Sequence, residues 1–539
     1  MSPLTRLINY VKSLKDLIPM SVICFKEGYS KEFFFNDLKA GISVGLIALP
    51  LSMAFAIGAG LSPQSGLYTA IIAGFFISLL GGSRTQIGGP TGAFIVIVYD
   101  TLQRHGVEGL ALATLIAGFL MIVMGLARLG FFLKFIPYPV TVGFTSGIAL
   151  TIFSSQIKDF FGLCMETPPS GFMAKWMAYI ANFPSCNGAS VGIGASTLIL
   201  IFLIRHYKPK WPAVIISTCL ATIFVTAFKI PVETIQTKFG GIPSALPNFA
   251  IPHFSLKTIQ DVFPDAIAIA LLGAIESLLS AVVADGMTGH RHRSNCELIA
   301  QGFANIASTL FGGIPATGAI ARTTANINMG AKTPMAGMIH SFILLLFMLL
   351  LTPYAAKVPL PTLAAILIFV AWNMSEVPHF ISIIKGARSD ACVLVITFLL
   401  TVFIDLATAV QVGVILSAIL FVKHMSDKTN IKMCQHILKD NMNEAPSIYD
   451  SDLILRKDIA EGTTIFEING PFFFAVSDLL NQEWQQLPQK PKVFILRMRN
   501  VSFIDASGIK ALQDFGAKCK RENVELLFSG LTEEIKACL

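Results

Sequence analysis

Two short stretches that contain glycine and proline, one in each half of the chain, combine residues that can bind an anion through the backbone. Residues 88–92 read Gly-Gly-Pro-Thr-Gly, and residues 312–318 read Gly-Gly-Ile-Pro-Ala-Thr-Gly. Each precedes an apolar run too short to cross a bilayer, which predicts a half-length helix. The N–H groups at a helix N-terminus attract anions, and glycine lets a ligand approach the backbone. The predicted anion cradle consists of Thr91, Gly92, Ala93 and Phe94 with Thr317, Gly318, Ala319 and Ile320.

Two charged residues lie inside apolar segments, where one could attract an anion and the other could bind a coupling ion. Arg322 lies two residues after Ile320, and Glu276 lies in the middle of an apolar run. A guanidinium in hydrocarbon is costly unless it faces water or an anion, so we expect Arg322 to raise the positive potential at the site. Burial favours the protonated form of a carboxylate, so we expect Glu276 to couple a proton or cation. The alternatives are snorkelling or an ion pair for Arg322, and a structural hydrogen bond or permanent pairing with Arg322 for Glu276.

A proline in the first apolar segment predicts a third part of the site. Pro50 lies mid-segment, where it removes a backbone hydrogen bond and tends to kink the helix. Leu51 and Phe55 follow it and are expected to line the substrate cavity. Ordinary helix packing explains Phe55 nearly as well.

The composition indicates that these residues lie in a membrane protein. Of the 539 residues, 54% are hydrophobic and 14% are charged, whereas soluble domains carry roughly 25% charged residues. The formal net charge of +7 comes from Lys and Arg in short connections and at the N-terminus, so we expect no nucleic-acid partner. Apolar runs recur through residues 37–424 and predict about fourteen transmembrane segments surrounded by lipid.

The positions of the two interrupted stretches indicate an internal repeat. They begin the third and the tenth predicted segments, so each is third in a set of seven. Simple kinks are the alternative, because glycine and proline are common in membrane helices. A matched pair of interrupted segments is nevertheless typical of an inverted-repeat transporter with its binding site at the midplane. We therefore predict an all-α polytopic membrane protein built as a seven-plus-seven inverted repeat, with basic loops placing both termini in the cytoplasm.

A change in composition after the last apolar run predicts a second domain. The predicted parts are a cytoplasmic N-terminal segment 1–36, a transport domain 37–424, a linker 425–460 and a small cytoplasmic α/β domain 461–539. Within the last part, strands are predicted at 465–468, 492–498 and 524–528, and a helix at 506–519.

Motifs along nearly the whole chain, in the right order, resemble the SulP family of anion transporters. The matching stretches are 48–60, 66–68, 89–94, 143–147, 273–287, 315–326 and 330–334. Residues 285–289 and 371–376 look most similar to the bacterial C4-dicarboxylate branch, which carries succinate, fumarate or aspartate with protons.

The resemblance implies a core domain that moves against a gate domain as an elevator. It also implies that the anion binds at the starts of the third and tenth segments and that Glu276 serves coupling. A sodium-coupled bicarbonate branch bears Asp at the position of Glu276, so the longer side chain favours protons. We expect a homodimer in the bacterial inner membrane.

The C-terminal domain resembles a STAS domain. Residues 503–508 read Phe-Ile-Asp-Ala-Ser-Gly and match the loop that carries a phosphorylatable serine in anti-sigma-factor antagonists, here Ser507. A helix N-terminus favours a phosphate at this position, although in transporters the loop is more often structural. The family domain usually continues through a further helix, so we expect a shortened domain, with a cytoplasmic protein as its partner.

These observations predict a secondary active transporter that takes up C4-dicarboxylates with protons. The alternatives are a sulfate or bicarbonate carrier coupled to protons or sodium, an anion channel, and a non-transporting membrane sensor that acts through the STAS domain. The sequence contains no nucleophile–base arrangement, nucleotide motif or metal-ligand spacing, so we expect no enzyme activity and no cofactor or metal. Cys164 and Cys186 share one loop, and the sequence leaves open whether they pair.

Overall fold

Long apolar helices form the first of two units, Met1–Val414, and a four-stranded sheet with its helices belongs to the second, Ile415–Leu539. The structure is a computed structural model. It describes residues 16–131, 137–165, 168–169, 171–208, 211–242, 249–251, 255–433, 462–476, 478–487 and 489–538. Most of the predicted linker, from residue 434 onward, and the first fifteen residues of the predicted N-terminal segment lie outside this set.

In its described residues, the first unit consists of helices, their connections and one pair of two-residue strands. Its elements are α1 (Met20–Glu27), α2 (Lys31–Gly58), α3 (Pro63–Leu80), β1 (Gly88–Gly89), α4 (Phe94–Leu126), α5 (Tyr138–Phe161), α6 (Phe172–Asn182), α7 (Gly188–Tyr207), α8 (Ala213–Phe228), α9 (Ile235–Phe239), α10 (Leu256–Thr288), α11 (Ser294–Leu310), β2 (Thr317–Gly318), α12 (Ile320–Asn328), α13 (Met335–Ala355), α14 (Leu360–Met374), α15 (Val377–Ile384) and α16 (Arg388–Phe403). Helix α17 (Leu406–Lys428) begins in this unit and continues into the second. Within the described residues, nine helical stretches are long and apolar enough to cross a membrane.

The third and fourth predicted segments form a single helix with a break. Helix α4 covers both, and at Gly106 its backbone leaves the helical region with φ 69° and ψ −173°. Glycine adopts positive φ without the steric penalty of a side chain, so the chain bends here without a loop. The break leaves a half-length helix next to β1, as the apolar pattern predicts.

The helices of the first unit pack into two groups. In the core group, α4 packs mainly against α10 and α11, and α13 packs against α2 and α3. In the gate group, α14 and α16 pack against α5, and α7 packs against α14. The core group contains both interrupted stretches, whereas the gate group consists of continuous helices and their connections.

Close helix packing in the core group depends on facing glycines. A Cβ on Gly118 of α4 would lie 2.8 Å from the carbonyl oxygen of Gly302 on α11, and a Cβ on Gly302 would overlap the carbonyl oxygen of Gly118. Small residues at helix contacts let the two backbones approach, which is a common way to hold helices together in lipid. Cys164 and Cys186, which share one loop, are both free.

The second unit confirms the predicted α/β domain. Its elements are β3 (Asn430–Met433), β4 (Thr463–Asn469), α18 (Leu479–Gln485), β5 (Val493–Asn500), α19 (Ala506–Arg521), β6 (Glu525–Ser529) and α20 (Glu533–Cys538). The sheet order is β3-β4-β5-β6, with an antiparallel first pair and two parallel pairs. Strand β3 was not predicted and lies inside the predicted linker, because four residues after a long helix carry little pattern of their own.

Aromatic residues fill the core of the second unit, and an aspartate caps its main helix. The rings of Phe466 and Phe494 stack at 5.1 Å, and Trp484 and Phe515 pack against Phe494. The Asp505 carboxylate accepts a hydrogen bond from the Gly508 N–H at 2.7 Å and thereby caps α19. The adjacent Ser507 is exposed in the first turn of α19, and its phosphorylation stays a prediction.

We expect Gly302→Ala to destabilise the first unit. The added methyl group would meet the Gly118 carbonyl oxygen and force α4 and α11 apart, and overpacking of this kind costs about 1–3 kcal/mol. The melting temperature of the purified protein in detergent should therefore fall. Gly286→Ala in α10 is the control, because a Cβ there meets nothing within 4 Å. Equal melting temperatures for the two variants would contradict this account of the packing.

Candidate functional site

The two interrupted stretches, far apart in the chain, meet as an antiparallel strand pair. Gly88 pairs with Gly318, and Gly89 pairs with Thr317. The Ala319 N–H extends the pairing by donating to the Ile87 carbonyl oxygen at 2.8 Å. Four residues separate β1 from the start of α4, and one residue separates β2 from the start of α12. The pairing therefore brings the N-termini of the two helices next to each other.

Helix α10 holds β2 in place through Ser277. Its hydroxyl accepts a hydrogen bond from the Gly318 N–H at 3.0 Å and contacts the Thr317 hydroxyl at 2.7 Å. Thr317 also donates to the Gly273 carbonyl oxygen at 2.9 Å, one turn earlier on α10. On the other side, the Gln86 side chain donates to the Ser277 carbonyl oxygen at 3.1 Å. All these groups are buried, so water does not compete for their hydrogen bonds.

Helix α12 supports the start of β1 in a similar way. The Ile87 N–H donates to the Thr323 hydroxyl at 3.0 Å, and Ser280 of α10 contacts the same hydroxyl at 3.1 Å. Strand β2 and helix α12 are thus both connected to α10 by side-chain hydroxyls. The strands, α10 and α12 form one polar, buried unit.

The backbone donors of the predicted cradle divide into used and unused groups. The N–H groups of Gly318 and Ala319 already bond to Ser277 and Ile87. Within the described backbone, the N–H groups of Gly92 and Ala93, and those of residues 320–322 at the start of α12, have no backbone acceptor. The Thr91 hydroxyl is also buried without a partner. These unused donors at two helix N-termini are suited to bind an anion.

Residues from both helix groups surround Gly92. A Cβ on Gly92 would lie 3.6 Å from Phe55 of α2, 3.4 Å from Ile152 of α5 and 3.0 Å from Met374 of α14. Phe55 therefore lies beside Gly92, and its contact with a substrate stays a prediction. Leu51 is buried one turn earlier on α2, and its contact with a substrate stays a prediction.

The remaining cradle residues differ in exposure. Ala93, Phe94 and Ala319 are buried, and Thr91 is half-buried. Ile320 is 37% exposed at the first position of α12. Its contact with a substrate stays a prediction.

Arg322 lies directly behind the strand pair. Its side chain is 3% exposed, and Nη2 donates to the Pro90 carbonyl oxygen. Nη1 has no hydrogen-bond partner in the described residues and lies so close to Gly89 that a Cβ there would be 2.8 Å away. The guanidinium therefore bridges the two interrupted stretches and leaves its charge unpaired beside them.

Glu276 lies on α10, immediately before the serine that holds β2. Its side chain is 7% exposed. Within the described part of the chain, its carboxyl group forms no ion pair with Arg322 or any other residue and no hydrogen bond. The alternative of permanent pairing with Arg322 is therefore wrong in this structure. An unpaired buried carboxyl group next to the site is suited to bind a proton or a cation.

Sequence reasoning missed the polar residues that hold the site together and the two gate residues that cover it. The missed residues are Gln86, Ser277, Ser280, Thr323, Ile152 and Met374. Ser280 had a detectable signal, because it lies four residues after Glu276 and so on the same face of the helix. Ile152 and Met374 had none, because an apolar residue in an apolar helix looks the same whether it faces lipid or substrate.

Comparison with protein families gives two matches that together cover most of the chain. Residues 34–397 match the profile of the Sulfate permease family, and residues 455–539 match that of the STAS domain. The first match includes both interrupted stretches, Glu276 and Arg322.

Curated relatives are similar over nearly the same length. A protein of Bacillus subtilis (strain 168), provisionally named the sulfate transporter YvdB, is 40% identical over 518 residues, which is 95% of this chain and 94% of that protein. The bicarbonate transporter BicA of Picosynechococcus is 30% identical over 467 residues, 83% of this chain and 80% of that protein.

Solved structures share the fold. The murine Slc26a9 anion transporter in its inward-facing state has a TM-score of 0.84 at 21% identity, covering 97% of this chain and 90% of that chain. The transmembrane domain of a cyanobacterial bicarbonate transporter, BicA, has a TM-score of 0.62 at 27% identity, covering 72% and 98%. At 21% identity, the first similarity concerns the fold alone.

Two substitutions of Arg322 separate its charge from its hydrogen bond to Pro90. Arg322→Lys keeps the positive charge but loses the planar fork, whereas Arg322→Gln keeps a donor for the Pro90 carbonyl oxygen and loses the charge. If the charge attracts the anion, Arg322→Gln should raise the KM for anion uptake about tenfold or more, because hydrogen bonds to charged groups contribute about 1.5–3 kcal/mol.

Initial uptake rates in proteoliposomes measure this KM. Under the same hypothesis, Arg322→Lys should retain a KM within about threefold of the unmodified protein, a difference of under 1 kcal/mol. The reverse order, with glutamine tolerated and lysine not, would show that the residue acts only by positioning Pro90.

Proposed function

Because the chain belongs to the sulfate permease family, we propose that it is a secondary active transporter that brings a small oxyanion, sulfate first, across the membrane together with protons. One observation carries the proposal. Two helix N-termini with unused backbone donors meet over the pair of β1 and β2, beside the unpaired guanidinium of Arg322. This arrangement offers a doubly charged anion hydrogen bonds and charge compensation in the membrane interior.

Sulfate is the preferred substrate in this proposal. The C4-dicarboxylate expectation rests on residues 285–289 and 371–376, and neither curated relative described above bears a dicarboxylate name. One of these relatives is named for sulfate and the other for bicarbonate. Bicarbonate is the second candidate, since BicA is 30% identical over most of this chain.

We assign the coupling role to Glu276. It is buried, unpaired and adjacent to Ser277, whose hydroxyl binds the Gly318 N–H and the Thr317 side chain. Gain or loss of a proton at Glu276 changes the charge of the site by one unit without moving the cradle. A protonated Glu276 removes a repulsive charge, so proton binding favours anion binding, which is the requirement for symport.

The division into core and gate groups supports an elevator movement as part of the proposal. The cradle is built from the core helices, while Ile152 and Met374 cover Gly92 from the gate helices. A rigid displacement of the core group along the gate group would carry the cradle past these two side chains. We propose further that the protein acts as a homodimer in the bacterial inner membrane, with cytoplasmic termini and a protein partner for the STAS domain.

A competition panel tests the substrate. Uptake of radiolabelled sulfate into proteoliposomes should be inhibited by excess unlabelled sulfate more strongly than by bicarbonate, succinate, fumarate or aspartate. The reason is that a compact tetrahedral dianion engages donors from both helix N-termini at once. Stronger inhibition by succinate would restore the dicarboxylate assignment, and absence of uptake for every anion would favour a sensor that acts through the STAS domain.

Glu276→Gln tests the coupling. The amide is close in size to the carboxyl group and cannot exchange a proton, so sulfate accumulation driven by an imposed pH gradient should be lost. Exchange of internal for external sulfate, which needs no net proton movement, should persist. The control is Glu233→Gln, at an exposed glutamate outside the site. Accumulation that still follows the pH gradient in Glu276→Gln would refute the assignment, and dependence on a sodium gradient instead would change the coupling ion.

A further inference from the structure

A second cavity, of about 270 Å³, lies in the transport unit on the far side of the residues that cover the cradle. Its walls come from the C-terminal ends of α2, α5 and α16, the first half of α4, and the short helices α6 and α9. The wall residues include Ile95, Tyr99, Asp100, Gln156 and Lys175. None of these residues belongs to the anion cradle described above.

One layer of side chains separates this cavity from the cradle. Ile95 in the cavity wall directly follows Phe94 of the cradle. Gln156 lies one turn after Ile152 on α5, and Ile152 covers Gly92. Gly58, also in the wall, is so close to both Ile95 and Gln156 that a Cβ there would lie 3.5 Å and 3.7 Å from them. An anion in the cavity would therefore need to pass only this layer to reach Gly92.

Most charges in the cavity wall have partners. Lys238 forms an ion pair with Asp159 at 2.9 Å. Asp405 accepts hydrogen bonds at 2.8 Å from the backbone and side chain of Thr408 at the start of α17. Lys158 is also in the wall and makes an interaction of its own.

Lys175 differs from these residues. Its side chain is only 5% exposed, yet within the described residues its ammonium forms no ion pair and no hydrogen bond. It lies over the ring of Tyr99, 5.1 Å from the centroid. Burial lowers the pKa of Lys175, and the charge of Asp100 opposes this effect. A buried cation that faces a cavity and forms no direct ion pair gains further stabilisation from an anion in that cavity.

We propose that this cavity is an entry subsite that holds a small oxyanion through Lys175 before the anion passes Ile152 and Met374 to the cradle. The inference rests on the proposed function for the identity of the anion. Lys175 supplies the positive charge. The amide of Gln156 in the same wall donates to the Ile152 carbonyl oxygen at 3.3 Å and to the Ser155 hydroxyl at 2.6 Å, so it shapes the wall between the cavity and Ile152. Asp100 faces the same cavity and repels the anion, so the subsite binds weakly and releases its ligand inward.

Uptake of radiolabelled sulfate by proteoliposomes containing the full chain tests the subsite. Lys175→Gln should raise the KM about tenfold and leave the maximal rate within about twofold, because the charge acts on anion capture and not on the cradle. Lys175→Arg should restore the KM. Asp100→Asn should lower it, a result that a merely structural role of the wall does not produce. Lys257→Gln is the charge-matched control, since Lys257 is exposed at the start of α10 and does not line the cavity.

Equilibrium dialysis of radiolabelled sulfate with the detergent-solubilised full chain separates this inference from the proposed function. The unmodified protein should bind two sulfates per chain, and Lys175→Gln should bind one. Two bound sulfates without uptake would overturn the transport proposal but support the subsite. The subsite would be overturned if the unmodified protein binds only one sulfate. It would also be overturned if Asp100→Asn leaves the KM unchanged or raises it. Both results can be obtained even if Lys175→Gln fails to fold.

Discussion

A backbone that leaves regular helix inside a membrane must satisfy its N–H and C=O groups within the protein, because lipid provides no hydrogen bonds. The pairing of Gly88–Gly89 with Thr317–Gly318 meets this requirement for both interrupted stretches at once. The rest of the transport unit depends on it. It determines where α4 and α12 begin, and hence where their N-terminal dipoles meet.

The strand pair can form only because its residues are small and its surroundings polar. A Cβ on Gly88 would overlap the Ile77 side chain, and one on Gly318 would overlap the Gln86 amide. Hydroxyl groups from α10 and α12 accept hydrogen bonds from backbone N–H groups that the short strands do not pair. The outcome is a rigid support whose outer donors are already used, so that only the donors at the helix starts remain for a ligand.

The two charged side chains beside the strand pair are not neutralised by ion pairs within the described residues. Arg322 bonds to a neutral carbonyl group and Glu276 forms no ion pair within the described residues, although both are buried on neighbouring elements. A permanent pair between them would cancel the field that attracts an anion and would remove the group that can exchange a proton. Lys175, in the cavity beyond Ile152, is likewise a buried charge without a direct ion pair in the described residues. Gate helices contribute part of the wall of that cavity.

The sequence by itself determined the class of protein, the two interrupted stretches, the intramembrane charges and the order of strands and helix in the STAS domain. These features follow from composition, hydrophobic length and local backbone preference, which neighbouring residues specify among themselves. Only the tertiary structure decided that the two stretches pair with each other, that Gly318 and Ala319 use their N–H groups in that pairing, and that Ile152 and Met374 cover Gly92. It also decided that Glu276 and Arg322 remain apart. Such contacts join residues separated by up to hundreds of positions, and an apolar side chain in a membrane helix carries no local mark of what it faces.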